Sequence, residues 1–223
     1  MHKIIFWDWT GTLADEAQLD DAVCRSLEED IARKRGLSFE EAVRMYKDFL
    51  KTVENTWEWH DYVGHGHNFG VDWRHSQEIN LDKLRLIPHA LEILTYASSK
   101  GYQNVLVTNA VRKVIELRIK HAGLIDAFRA IIASSDVKAL KAEGKHFTHG
   151  LSHCDGHTGQ SFSVGDNPVQ DIQPAKNLGL RAIYCNLGKN LTHYHSPHIS
   201  DNHSQKIDAD FRIRNLREIK NII

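Results

Sequence analysis

Acidic and hydroxyl residues stand directly after three short apolar runs of this sequence. Lys3-Ile4-Ile5-Phe6-Trp7 leads into Asp8, followed by Thr10, Gly11 and Thr12. Asn104-Val105-Leu106-Val107 leads into Thr108 and Asn109, and Ser161-Phe162-Ser163-Val164 into Gly165 and Asp166, with Asp171 close behind. Such runs read as buried strands, and a doubly wound sheet binds ligands beyond the carboxyl ends of its strands. One aspartate after a strand is ordinarily a turn or cap residue; several aimed at one rim are a candidate site. Gathered aspartates repel one another unless a cation or a proton separates them. Hard oxygen donors in that number, with no His or Cys at ligand spacing, suit Mg²⁺. Thr10 is the odd member, since a threonine hydroxyl neither takes nor gives a proton near neutral pH.

The elements that must position these residues follow from a change of period along the chain. Leu19, Val23, Leu27 and Ile31 recur every four residues and Gly36 stops that helix. Ser38 with Glu41 reads as a capping box opening a helix that carries Ala42, Met45, Phe49 and Val53. Residues 57–73, rich in Trp, His and Gly, read as irregular. After Pro88 the pattern alternates: helix 89–100 with Leu91, Leu94 and Ala97, strand 104–108, helix 111–122, strand 130–133, strand 161–164, helix 169–178, strand 181–185 and a terminal helix 212–222. Strands alternating with helices imply right-handed crossovers and a parallel sheet. The expected architecture is an α/β core of residues 1–14 and 88–223, doubly wound, with an all-helical insertion of residues 15–87.

With 223 residues, 41% apolar and 26% charged, the chain can bury a full core. A formal charge of −1 gives no global field toward nucleic acid or an anionic membrane. Cys24, Cys154 and Cys185 are too few and too scattered for a disulfide framework and suit a reducing compartment. No basic-then-apolar leader and no apolar run of membrane-spanning length is seen, so a cytoplasmic-type chain is expected and the Asn190-Leu191-Thr192 sequon is read as silent.

The motifs resemble those of the haloacid dehalogenase superfamily. Asp8-Trp9-Thr10-Gly11-Thr12-Leu13 is similar to its first signature, Asp-x-Asp/Thr-Gly-Thr. The strand ending in Thr108-Asn109 is similar to the second, and Val164-Gly165-Asp166-Asn167-Pro168-Val169-Gln170-Asp171 to the fourth. The third, a lysine often set in Lys-Pro-x-Pro-x-x-Phe, is less clean. Lys141 stands at the right distance before Phe147, but Ala142 and Gly144 replace both prolines, and Lys138 and Lys145, read as sharing a helical face with it, compete. The resemblance implies a Rossmann-like core with a helical cap of the first type.

It also implies roles. Asp8 would attack phosphorus and become an aspartyl-phosphate. Mg²⁺ would lie against Asp8, the backbone carbonyl of Thr10 and Asp166, with Asp171 supporting the metal through water or orienting Lys141. Thr108, Asn109 and Lys141 would hold phosphoryl oxygens, and Gly11 would let the chain turn beside them. Phosphatases of the superfamily usually carry Asp where this chain has Thr10, so general acid–base help worth roughly 10²–10⁴ in rate is missing there. A site short of a proton donor favours leaving groups that need little help, and a phenol, with its pKa about 10, leaves more readily than an alkyl alcohol. Aryl or acyl phosphates, protein phosphotyrosine included, are therefore the expected substrates. A small-metabolite phosphatase of the phosphoglycolate kind and a slow-turnover phosphate-binding or phospho-switch module are the alternatives; a dehalogenase fits Asp166 less well.

The insertion would close over the site and select substrates. Trp57, Trp59, Tyr62 and Trp73 lie in its least regular part, as packing or as a wall for a substrate ring. Twelve of the fifteen histidines lie at 60–75, 146–157 and 193–203. His149, His153, Cys154 and His157, in an expected loop, have spacings open to zinc or nickel, as do His65 with His67 and His193 with His195; solvent-facing histidines are the plainer reading.

Overall fold

The computed structural model describes residues 2–187 and 208–223. In chain order the elements are β1 (Lys3–Trp7), β2 (Ala14–Asp15), α1 (Ala17–Arg35), α2 (Phe39–Thr52), α3 (Tyr62–Phe69), α4 (Trp73–Glu78), β3 (Arg85–Leu86), α5 (Ala90–Ser99), β4 (Tyr102–Thr108), α6 (Arg112–His121), β5 (Ala130–Ala133), α7 (Ser134–Val137), α8 (Lys145–His153), β6 (Phe162–Gly165), α9 (Gln173–Asn177), β7 (Arg181–Cys185) and β8 (Phe211–Ile213). Six strands form one sheet in the order β5-β4-β1-β6-β7-β8, every neighbouring pair parallel. From β1 the chain winds outward through β4 and β5, then returns across β1 to lay down β6, β7 and β8. The winding reverses between β1 and β6, so Asp8 and Asp166 emerge side by side at the switch point.

Strand β1 is buried on both faces and its side chains alternate between two cores. Ile5 and Trp7 join the larger one, while Ile4 and Phe6 pack on the other side with Val105, Val107 and Phe147. Phe6 and Phe147 meet edge to face at 5.5 Å, which seats α8 beneath the sheet. Trp7 Nε1 donates to Asn104 Oδ1 at 2.9 Å, so the largest side chain of the strand leaves no polar atom unpaired.

The insertion is helical, and both its ends are held. Strands β2 and β3 pair antiparallel, Ala14 with Leu86 and Asp15 with Arg85, and Ile87 N–H donates to Leu13 O. Helix α1 ends on Gly36 at φ 65°, and α2 opens on the reciprocal Ser38–Glu41 capping box.

Several expectations need correction. The buried face of α2 is Ala42, Tyr46 and Leu50, leaving Met45 exposed, and in α5 Ile93 is buried where Leu91 is exposed. Residues 57–73 contain a 3₁₀ turn (Trp57–His60) and α3, and α4 starts at Trp73. The stretch 169–178 is a π-helical turn, Pro168–Ile172, followed by the short α9. No helix spans 212–222: Phe211–Ile213 pairs with Ile183–Cys185 as β8, and Leu216–Asn221 is a 3₁₀ turn capped by Asn215. His149 and His153 lie on α8, not in a loop. Lys138, Lys141 and Lys145 share no helical face, since they fall in separate elements broken at Gly144. The sequon at Asn190 and the pair His193 and His195 lie outside the described residues. Among the described residues no helix is long and apolar enough to cross a membrane.

Candidate active site

Asp8 leaves β1 with its N–H donating to Val164 O, and the chain then curls back on itself. Leu13 and Ala14 N–H both reach Trp9 O, and Gly11 takes φ 85°, a conformation strained for any side chain. That curl returns Thr12 to the strand end, where its Oγ1 donates to Asp8 Oδ2 at 2.9 Å. The other carboxylate oxygen, Oδ1, accepts from Lys141 Nζ at 2.6 Å. Asp8 is 5% exposed, and neither oxygen is free to rotate away.

Lys141 is the lysine placed here. Lys138 Nζ lies over the Trp57 ring, 4.2 Å from its centroid, and Lys145 pairs with Glu143 at 3.0 Å at the surface. Lys141 Nζ bridges Asp8 and Asp171 Oδ1, the latter at 2.5 Å. Burial works against its charge, but Asp171 and Asp8 outweigh that and hold the ammonium well above the ordinary lysine range. Its backbone is fixed as firmly as its tip. Asn109 Oδ1 accepts from Lys141 N–H at 2.8 Å, and Gln170 Oε1 accepts from both Ala142 N–H and Asn109 Nδ2. Asn109 therefore ties the 3₁₀ turn of Lys141 to the end of β4. Gln170 and Thr12 went unnoticed in the sequence, although both stand inside the quoted motifs.

Thr108 lines the cavity, and its Oγ1 accepts from Ala110 N–H. Behind it His146, fully buried, donates Nε2–H to the Thr108 carbonyl at 3.1 Å. Its Nδ1 has no protein partner. Burial, then the nearby Lys141 cation, push its imidazolium down to about 4.

Asp8, Asp166 and Asp171 each bring a carboxylate oxygen within 4.8 Å of the others. Burial first, then Asp8 and Asp171, hold the Asp166 carboxyl well above its ordinary range. Asp171 is raised as well, burial outweighing the help of Lys141. Three crowded acids with all-oxygen donors fit a hard divalent cation. Asp171 is the least available of them, since its Oδ1 is taken by Lys141 and its Oδ2 by Asn167 N–H at 3.0 Å. Gly165 is required beneath it: a Cβ there would lie 2.3 Å from the Asp171 carboxyl carbon. Among the described residues this trio is the cluster of three or more His, Cys, Asp or Glu placed to share an ion; His149, His153, Cys154 and His157 do not converge that way. His65 is buried and bonded to Tyr46 and Glu58, as packing rather than a ligand.

Thr10 turns away from this cluster. Its Oγ1 donates to Glu16 Oε2 at 2.7 Å, and Glu16 Oε1 accepts from Trp9 Nε1 at 2.6 Å and from Arg118 at 3.0 Å. Arg118 also donates to Asp20 at 2.7 Å and to Gln77 at 3.0 Å. Burial raises the Glu16 carboxyl against the pull of Arg118. Nothing in the spacing of Glu16 and Arg118 announces their pairing.

These groups surround a cavity of about 150 Å³. One end is Asp8, Asp166, Asp171, Lys141 and Thr108; the other is Glu16, Asp20, Arg118 and the inserted segment's Trp59, His60 and Tyr62. Trp73, by contrast, packs in the apolar core. The first end presents a fixed cation, crowded carboxylates and hydroxyls, which suits a doubly charged oxyanion brought in with a divalent metal.

Comparison with known proteins agrees with that chemistry. The family profile of haloacid dehalogenase-like hydrolases matches residues 5–185. Glyceraldehyde 3-phosphate phosphatase of Pyrococcus abyssi is 27% identical over 206 residues, covering 85% of this chain and 83% of its own length. Phosphoserine phosphatase of Thermus thermophilus is 28% identical over 134 residues, 60% of this chain and 49% of its own. Among solved structures, a phosphatase of the same family from Thermococcus onnurineus superposes with a TM-score of 0.82 at 26% identity, over 99% of this chain and 97% of that one.

Proposed function

The chain belongs to the haloacid dehalogenase-like hydrolase family, and from that premise we propose that it is a Mg²⁺-dependent phosphatase of small phosphorylated metabolites acting through Asp8. The observation that carries this reading is Lys141, fixed between Asp8 and Asp171 at the head of a cavity that Asp166 also lines. Relatives named for glyceraldehyde 3-phosphate and phosphoserine support the class of substrate.

In this reading one Asp8 oxygen forms a bond to phosphorus as the bond from phosphorus to the leaving oxygen breaks. Water then attacks the same phosphorus, restoring Asp8 and releasing inorganic phosphate. Lys141 and the Thr108 hydroxyl hold the phosphoryl oxygens, and Thr12 keeps Asp8 aimed. Asn109 acts through Lys141. Asp8, Asp166 and the Thr10 carbonyl would hold Mg²⁺, with Asp171 orienting Lys141; bound there, the ion supplies neutralisation of phosphoryl charge. The helical segment 15–87 serves as the cap that closes the leaving-group end.

Thr10 shapes what leaves. With its hydroxyl bonded to Glu16 and no acid in its place, leaving groups of low pKa, aryl or acyl, are favoured. Protein phosphotyrosine ranks below small phosphates, because Trp59, His60 and Tyr62 stand across a cavity of about 150 Å³. Thr10 also supports a second reading, a slow phosphoryl acceptor that turns over rarely.

The test is hydrolysis of phenyl phosphate and of an alkyl phosphate, with Mg²⁺ and with chelator, by wild type and Asp8→Asn. Turnover that needs both Mg²⁺ and Asp8 is expected, faster for the aryl ester. Equal aryl and alkyl rates would remove the leaving-group argument, a single burst with phosphate retained on the protein would favour the second reading, and turnover by Asp8→Asn would overturn the assignment.

A further inference from the structure

Acids outnumber guanidinium groups at the leaving-group end of the cavity. Two carboxyl groups, Glu16 and Asp20, face one guanidinium, Arg118. Arg118 is 3% exposed, and each of its three nitrogens already has a partner, Gln77, Glu16 or Asp20. Its charge is thereby shared between two carboxyl groups before any anion arrives. At the opposite end Lys141 is committed to Asp8 and Asp171. The accessible acid is Asp20, whose side chain is 21% exposed against 2% for Glu16, and it lies on the cavity wall with Tyr62, whose hydroxyl donates to it at 3.4 Å. A buried arginine beside a phosphate cavity would ordinarily read as an anchor for a second phosphate or a carboxylate; here Glu16 and Asp20, at the start of α1, already hold it.

Resting on the phosphatase reading above, we infer that Asp20 determines specificity: the substrate's leaving portion is small, neutral or cationic, offers a hydroxyl or ammonium hydrogen to Asp20, and carries no second anionic group. A carboxylate or second phosphate placed there meets Asp20, while Arg118, the guanidinium beside it, is already held by Glu16, Asp20 and Gln77. A hydroxyl or ammonium group meets an acceptor instead. A cavity of about 150 Å³ suits a small leaving portion.

The experiment compares glycerol 3-phosphate with 3-phosphoglycerate, which share a skeleton and differ by CH₂OH against carboxylate. Phenyl phosphate serves as the control for phosphatase action, and wild type is set beside Asp20→Asn. For wild type, kcat/KM for glycerol 3-phosphate should exceed that for 3-phosphoglycerate by about tenfold or more, with the difference mainly in KM and narrowing as salt is raised. Asp20→Asn, which keeps an oxygen for Arg118, should bring the two substrates within about threefold. The salt series needs no variant and stands even if Asp20→Asn folds poorly. Phenyl phosphate turnover with 3-phosphoglycerate handled as well as or better than glycerol 3-phosphate would overturn the inference and leave the phosphatase reading intact. A preference unmoved by both salt and Asp20→Asn would overturn the role of Asp20. No turnover of any of the three would overturn the phosphatase reading, and this inference with it.

Discussion

Asn109 Oδ1 accepts from the backbone N–H of Lys141 at 2.8 Å, so the end of β4 also sets where the lysine begins. Lys141 carries neither proline of the family's third motif, and its turn is held by side chains of Asn109 and Gln170 instead.

Removing that tie should therefore act on rate. Asn109→Ala is expected to lower kcat for phenyl phosphate by about 10- to 100-fold, since a shift near 1 Å in a positioned group has that effect. Steady-state kinetics beside a melting curve checks it; a change confined to KM would make Asn109 a substrate contact instead.

Gly165→Ala should be costly although it adds one methyl. The new Cβ would overlap the Asp171 carboxyl at 2.3 Å, and overpacking of this kind costs about 1–3 kcal/mol. Urea unfolding should show the loss, and turnover should fall with it because Asp171 is displaced from Lys141.

The three crowded acids should make Mg²⁺ a stabiliser of the fold. At a hundredfold excess over its dissociation constant the ion should add about 2.7 kcal/mol, reversed by chelator. Asp166→Asn should abolish most of that response in a thermal shift assay while melting higher than the metal-free wild type, since one of three repelling charges is gone. An unchanged response to Mg²⁺ would take Asp166 out of the metal site.

His146 gives stability a pH dependence of definite sign. Its folded pKa, about 4, lies below the ordinary 6.5, so the unfolded chain binds a proton more readily. The His146 contribution should be full above about pH 6.5 and fall as pH drops toward 4, by on the order of 3 kcal/mol. His146→Gln should flatten that portion of the curve in urea titrations run at each pH.

Arg118→Met should destabilise by about 3–5 kcal/mol, because Glu16 is left as a buried, unpaired charge. Adding Glu16→Gln in the same chain should recover a large part. Full additivity of the two changes in equilibrium unfolding would show that the groups are not coupled.

The sequence displays whatever is local and periodic. Asp8, Thr108 and Asp166 are legible because an apolar run and a turn announce each strand end, and Lys141 is legible by its distance to Phe147. The C-terminal stretch misleads for a physical reason. Ile213, Leu216 and Ile219 are all buried at helical spacing, yet Ile213 belongs to a strand and the other two to a 3₁₀ turn, whose period is close to that of a helix. Arg118 had no signature, because its partners Glu16, Asp20 and Gln77 come from distant parts of the chain and only the packed fold brings them together.

Ribbon β2–β3 has a consequence for how such a chain can vary. Main chain enters and leaves the inserted helices at adjacent, mutually paired points, so the insertion is topologically a long excursion from a hairpin. Its length can change between those paired ends without breaking a strand pair of the six-stranded sheet. An exchange of segment 17–83 between relatives would leave Ala14–Asp15 and Arg85–Leu86 in place, but it would have to carry Asp20 and Gln77 with it to keep Arg118 paired.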